Sequence, residues 1–206
     1  IFEIELPDDL KPKPTVVVQG IVSNAKTEAP LEAVVLIEDI NSANYQKLNR
    51  ELIAASLTVL KNKQNILPIR KLDQKIAVLS LAPEGVSYRP FQNALNLYTK
   101  ADTYHYSELP VAKQKGLMDQ LLEYDLVIVG VHLSNKSPWV SYKVDNEFKN
   151  FLNILRLKQK VIVDLFANAY ALNNFIAASY ADGLVVSYQN SKDAQELSAQ
   201  MIFGSI

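Results

Sequence analysis

Uninterrupted apolar runs, rather than alternating ones, mark the second half of the chain. Leu126-Val127-Ile128-Val129-Gly130-Val131 and Val161-Ile162-Val163 contain no polar position, which is how strands read when helices cover both faces of their sheet. Around these runs the apolar spacing lengthens to three and four residues, the period of an amphipathic helix. The pattern predicts helices over 44–60, 88–98, 111–123, 144–157, 171–177 and 192–202, with strands over 75–81, 101–106, 125–133, 160–165 and 183–188. Strands that alternate with helices imply right-handed crossovers. The expected fold is therefore α/β, a doubly wound, mostly parallel sheet with helices on both faces, flavodoxin-like in plan.

The segment from Asn49 to Ile69 carries two signals. Leu48, Leu52, Ala55 and Val59 fall on one helical face. Lys61 to Asn65 then reads as a polar turn, and the proline of Leu67-Pro68-Ile69 forbids the helix to continue. The expected arrangement is a helix tied by a short connector to the first strand of the sheet.

The N-terminal part has a different texture. Pro7, Pro12 and Pro14 punctuate an extended lead, Thr15 to Val22 is β-branched, and Leu31 to Ile37 is a second strand candidate after a turn. This predicts a β-hairpin within residues 1–38, ahead of an α/β sandwich domain over 39–206. A two-stranded hairpin is not stable alone, so it is expected to lean on another element, such as a sheet edge whose backbone groups need covering.

Composition narrows the function classes. Lys plus Arg number 21 against 22 Asp plus Glu, so no bulk charge draws the chain to nucleic acid or an anionic membrane. There is no cysteine in 206 residues, which removes disulfides and thiolate metal sites. No apolar run approaches the length of a membrane span, and the N-terminus lacks the pattern of a signal peptide. The start without Met and the end on Phe203-Gly204-Ser205-Ile206 suggest a fragment or a processed product. Leu81-Ala82-Pro83-Glu84-Gly85 offers one glycine after the first sheet strand, too few for a dinucleotide fingerprint or a phosphate loop. His105 and His132 are the two histidines and have no metal-ligand spacing. No cofactor and no metal are expected.

Four ordered motifs give the chain a resemblance. Arg50 is followed by Ala55-Ser56-Leu57-Thr58-Val59-Leu60-Lys61-Asn62 and then Leu67-Pro68-Ile69. Asp125 to His132 follows, then Leu165-Phe166-Ala167-Asn168-Ala169-Tyr170-Ala171-Leu172, then Val186-Ser187-Tyr188 and Gln200-Met201-Ile202-Phe203-Gly204. Over residues 41–206 this order resembles the C-terminal α/β domain of glycoside hydrolase family 3, closest to its β-N-acetylglucosaminidase branch. Residues 5–38, with Val18 to Val22 and Ala29 to Ala33, resemble the opening of a carboxypeptidase-regulatory-like β-sandwich module.

The resemblance implies a retaining glycosidase, which works with a carboxylate nucleophile and an acid/base. It places the nucleophile on a (β/α)₈ barrel of about 250 residues, which would be the partner of this domain and is not part of this chain. In the glucosidase branches the acid/base glutamate lies on the loop after the central strand. Here that loop, residues 132–142, contains no Asp or Glu, as the N-acetylglucosaminidase branch would have it. The expectation is a domain with no catalytic residue of its own. The resemblance also suggests a bacterial periplasm or cell envelope, and a homodimer through the surface that would face the barrel.

The candidates for contact with substrate or barrel are His132, Ser134, Asn135, Trp139 and Tyr142. His132 ends the most buried strand, and ligands of open α/β sheets bind at the carboxyl ends of strands. It could also be a hydrogen-bonded loop histidine or an interface contact. Trp139 and Tyr142 could stack on a sugar or fill the interface to a barrel. Asp164 is expected to be hydrogen-bonded at a strand end, Asn168 and Tyr170 to hold a turn, and Tyr104 and Tyr106 to belong to the core. Two other functions stay open: an autonomous or engineered binding or adhesion module, and a flavodoxin-like small-molecule binder.

Overall fold

The computed structural model describes residues 43–107, 111–133 and 143–206, without the side chains of 111–115. The predicted hairpin, and Ser134, Asn135, Trp139 and Tyr142, lie outside the described residues. The chain divides into two compact units, residues 1–49 and 50–206; the fold below is that of the second.

Six strands form one sheet: β1 (Thr58–Asn62), β2 (Ile76–Leu81), β3 (Ala101–His105), β4 (Leu126–His132), β5 (Val161–Phe166) and β6 (Gly183–Val186). Their order is β1-β6-β5-β4-β2-β3. β2 to β6 are mutually parallel, and β1 alone is antiparallel, against β6. Leaving out β1, this is the flavodoxin strand order, with the chain reversing direction across the sheet between β2 and β4. The doubly wound α/β expectation holds.

Side-chain alternation along each strand feeds two cores. Ala77, Leu79, Val127, Val129, Val161 and Val163 point to one face. There they meet Leu117 and Leu121 of α3 (Val111–Leu121) and Phe148, Leu152 and Leu155 of α4 (Asn146–Lys158). Ile76, Val78, Ile128, Ile162 and Val185 point to the other face. They meet Phe91 and Leu95 of α2 (Arg89–Leu95) and Ala199 and Ile202 of α6 (Lys192–Ile202). Between them, a 3₁₀ turn (Ala169–Asn174) and the one-turn α5 (Ile176–Ser179) link β5 to β6. Capping follows sequence: Asp145 accepts from the Phe148 amide of α4, and Ser191 from the Ala194 amide of α6.

One element departs from expectation. The helix predicted over 44–60 ends earlier: α1 is Ala43–Ser56, and Thr58–Asn62 is β1. The predicted face is not the buried one, since Leu52 and Ala55 are exposed while Ile53 is buried against Ala194 and Leu197 of α6. Arg50 joins the same contact through ion pairs to Asp193 and Glu196. The reason is competition for Thr58 and Val59. Their β-branched side chains suit a strand, and the open edge of β6 supplies backbone partners that a further helical turn would forgo. The edge of β6 is thus covered by β1.

The connector is held by a side chain. Asn62 donates to the Leu67 carbonyl at 2.8 Å and accepts from the Leu67 amide at 2.9 Å, closing the five-residue loop much as a strand partner would. Leu67 and Ile69 are buried either side of Pro68, and the Ile69 amide donates to the Ile202 carbonyl at 2.8 Å. Gly204, at φ +74°, packs on Pro68 so closely that a Cβ would come within 2.9 Å of it.

Candidate functional site

The reversal between β2 and β4 puts the carboxyl ends of those strands at the position where this class of sheet forms its crevice. β4 brings His132 there, on the face shared with α2 and α6. His132 is fully buried. Its ring lies flat on Phe166, with centroids 4.5 Å apart and planes 5° from parallel, and edge-on to Phe91. On the far side Tyr88, half-buried, is 6.3 Å away and itself stacks on His105 at 4.4 Å. Four rings, His105, Tyr88, His132 and Phe166, therefore step across the carboxyl ends of the strands.

Polar atoms hold this stack at both ends, with His105 Nε2 lying 3.2 Å from the Ala82 carbonyl oxygen. The His132 Nδ1 lies 2.9 Å from Asn190 Oδ1, an oxygen that also accepts from Gln195 Nε2 at 2.9 Å. Because the amide oxygen can only accept, the proton sits on Nδ1. Asn190 and Gln195 in turn donate to the Ser87 carbonyl, and Gln195 Oε1 accepts from the Phe91 amide. This binds the loop between β2 and α2 to the start of α6. His132 Nε2 is buried with no hydrogen-bond partner. Gly130 lies beneath it, and a Cβ there would come within 2.5 Å of Nε2.

The electrostatics follow from burial. Removal from water, opposed by the Asn190 hydrogen bond and aided by repulsion from His105, holds the His132 imidazole down at about 4. His132 is therefore neutral at physiological pH. Asp164, fully buried in β5, accepts from Ser187 Oγ at 2.8 Å and from Ser198 Oγ. Burial pushes its carboxyl up to about 7 against the pull of those two hydroxyls. Its partners are hydroxyls and not a histidine, so Asp164 and His132 are not hydrogen-bonded to each other. Among the described residues no three His, Cys, Asp or Glu side chains converge as metal ligands, and no helix is long and apolar enough to cross a membrane.

The remaining sequence candidates fall as follows. Asn168 accepts from the Tyr170 amide and caps the 3₁₀ turn, while the Tyr170 ring is exposed. Tyr106 is core; Tyr104 packs against that core and reaches the Tyr124 hydroxyl at 2.8 Å. Ser56 Oγ donates to the Ile53 carbonyl and Thr58 Oγ1 to that of Ser56, so neither is poised as a nucleophile. Sequence reasoning did not single out Asn190, Gln195 or Ser198. The available signal was that Gln195 and Ser198 interrupt the apolar stripe Ala194, Ala199, Ile202 of α6.

What this arrangement offers chemically is order rather than reactivity. Ring faces and amides fix the strand ends, and His132 is the last residue of β4.

No protein-family profile and no curated protein matches the chain. Solved structures do. A fungal multi-domain GH3 β-N-acetylglucosaminidase, described as carrying a GCN5-related glucosamine N-acetyltransferase region, aligns with a TM-score of 0.63 at 23% identity. The match takes in 84% of this chain and 19% of that one. A β-glucoside phosphorylase gives 0.61 at 18% identity over 80% of this chain and 30% of its own. The β-glucosidase of Listeria innocua in complex with glucose gives 0.60 at 16%, over 81% and 26%. The chain thus spans between about a fifth and a third of the length of these enzymes. Such identities speak to architecture, and at that level the resemblance read from the sequence holds: the chain is built as glycoside hydrolase family 3 enzymes build their C-terminal α/β domain.

Proposed function

We propose that the chain is the non-catalytic α/β domain of a family 3 glycosidase acting on N-acetylglucosaminides, packing beside a catalytic barrel and forming one wall of its cleft. The observation that carries this is a combination. The fold is shared with part of a GH3 β-N-acetylglucosaminidase, and the loop after β4, where a glucosidase would need an acid/base carboxylate, has no Asp or Glu between 132 and 142. A retaining mechanism needs two carboxyl-type groups about 5 Å apart, and this loop supplies neither.

The wall is formed by that loop. Of that segment, Ser134 and Asn135 are the polar residues, and Trp139 and Tyr142 the aromatic ones, that we assign to contact with a sugar or the barrel. His132 serves as a positioning residue at the root of the loop, held by Asn190 and Phe166. The test is an assay of the chain alone with an aryl N-acetylglucosaminide. The expected result is no turnover above the buffer rate, and clear, protein-proportional release of the aryl group would overturn the proposal.

A further inference from the structure

On the face of the sheet opposite α2 and α6, a shallow groove of about 450 Å³ runs between α4 and the 3₁₀ turn with α5. Its lining is dominated by one residue type: Asn146, Asn150 and Asn153 from α4 and Asn173 and Asn174 from the turn, with Lys149 beside them and Ile176 and Ala177 as apolar surface. The three α4 asparagines recur at four and three residues, on a stripe distinct from the buried Phe148, Leu152 and Leu155. Asparagine is a poor choice for exposed helix positions, because its amide competes for backbone hydrogen bonds. Breaking a local preference repeatedly on one stripe is what functional surfaces do.

Local bonding does not consume these amides. Asn146 Oδ1 accepts from Lys149 and Asn153 Oδ1 from Arg156, which leaves both Nδ2 groups to donate. The Asn150, Asn173 and Asn174 amides take no hydrogen bond among the described residues. Each amide offers a donor and an acceptor side by side, the complement of a vicinal diol. No carboxylate lines the groove and a single ammonium does, so its ligand is neither a cation nor a strong polyanion. Ile176 and Ala177 give a C–H surface for an apolar ring face.

We propose that this groove binds a neutral carbohydrate, its hydroxyls bridged by the paired asparagines. None of its lining residues belongs to the His132 assembly, so the proposal does not depend on the function argued above.

The full 206-residue chain, labelled with ¹⁵N, is titrated with N,N′-diacetylchitobiose and, separately, with cellobiose, following the asparagine side-chain NH₂ resonances. Saturable shifts of Asn150, Asn173 and Asn174 at millimolar sugar are expected. The Asn150→Ala, Asn174→Ala double variant should weaken binding at least tenfold with its circular dichroism and melting curve unmoved. Absence of saturable shifts with both sugars, or unchanged affinity in the double variant, overturns the proposal. So does a stronger response to sodium sulfate than to sugar, which would assign the groove to an anion at Lys149.

Discussion

Replacing Asp164 with asparagine should change how the stability of the protein depends on pH. The carboxyl is fully buried, and its pKa is raised from 3.8 to about 7, burial outweighing the Ser187 and Ser198 hydroxyls. A raised carboxyl pKa means that the folded state holds a proton the unfolded state has released. The contribution is therefore complete below pH 3.8 and is lost as pH rises through about 7. Three pH units at roughly 1.4 kcal/mol each amount to about 4 kcal/mol, an order-of-magnitude figure. Asp164→Asn keeps the shape and an acceptor oxygen but cannot ionise. Urea unfolding followed by circular dichroism at pH 5 and pH 8 gives the comparison. Only the two units from pH 5 to about 7 fall inside that interval, so the wild type should lose about 3 kcal/mol more than the variant, with m unchanged. Equal losses in the two proteins would show that Asp164 carries no such linkage and would refute the reasoning.

Three further substitutions probe features described above. His132, held down at about 4 by burial, contributes stability above its ordinary 6.5 that is lost as pH falls towards 4; His132→Phe should cost about 1 kcal/mol at neutral pH for the Asn190 hydrogen bond and flatten the acid limb of a melting-temperature profile. Asn62→Ala removes both bonds that close the loop to Leu67 and should lower stability by about 1–3 kcal/mol, read as a fall in the urea midpoint. Gly204→Ala puts a methyl against Pro68 at a left-handed φ and should cost about 1–3 kcal/mol, visible in the same measurement; a neutral result would mean that the last residues are not docked on the connector.

How much of this was legible before the structure depends on the range of the forces involved. The parallel strands announced themselves, because a strand buried on both faces must be apolar at every position, as 126–131 is. That Asp164 is hydrogen-bonded was legible too, though not its burial within β5 or its partners Ser187 and Ser198, which come from 23 and 34 residues away. β1 was missed for a physical reason. Its first three residues continue the helical stretch predicted over 44–60 and its last two open the polar turn, and what makes them a strand is the backbone of Gly183 to Val186, which no local window contains. His132 was recognised as a strand end, but its burial is made by Phe91, Phe166 and Asn190 from three other elements. The asparagine groove has half its signal in the spacing 146, 150, 153; the other half appears only when α4 is laid beside residues 173 and 174.

The docking of Ile202 and Gly204 onto the Leu67–Ile69 connector also bears on the order of events during synthesis. Contacts that span most of a unit cannot form until its last turn of chain is free. On a ribosome, β2 to β5 can pair as they emerge, but β1 waits for β6 and the connector waits for the end of α6. Until then the edge of β5 and the apolar side of the sheet that α6 will cover stay open to other chains. Residues 192–204 act as the clasp of the sheet, and the interval before they arrive is when it is most exposed to aggregation.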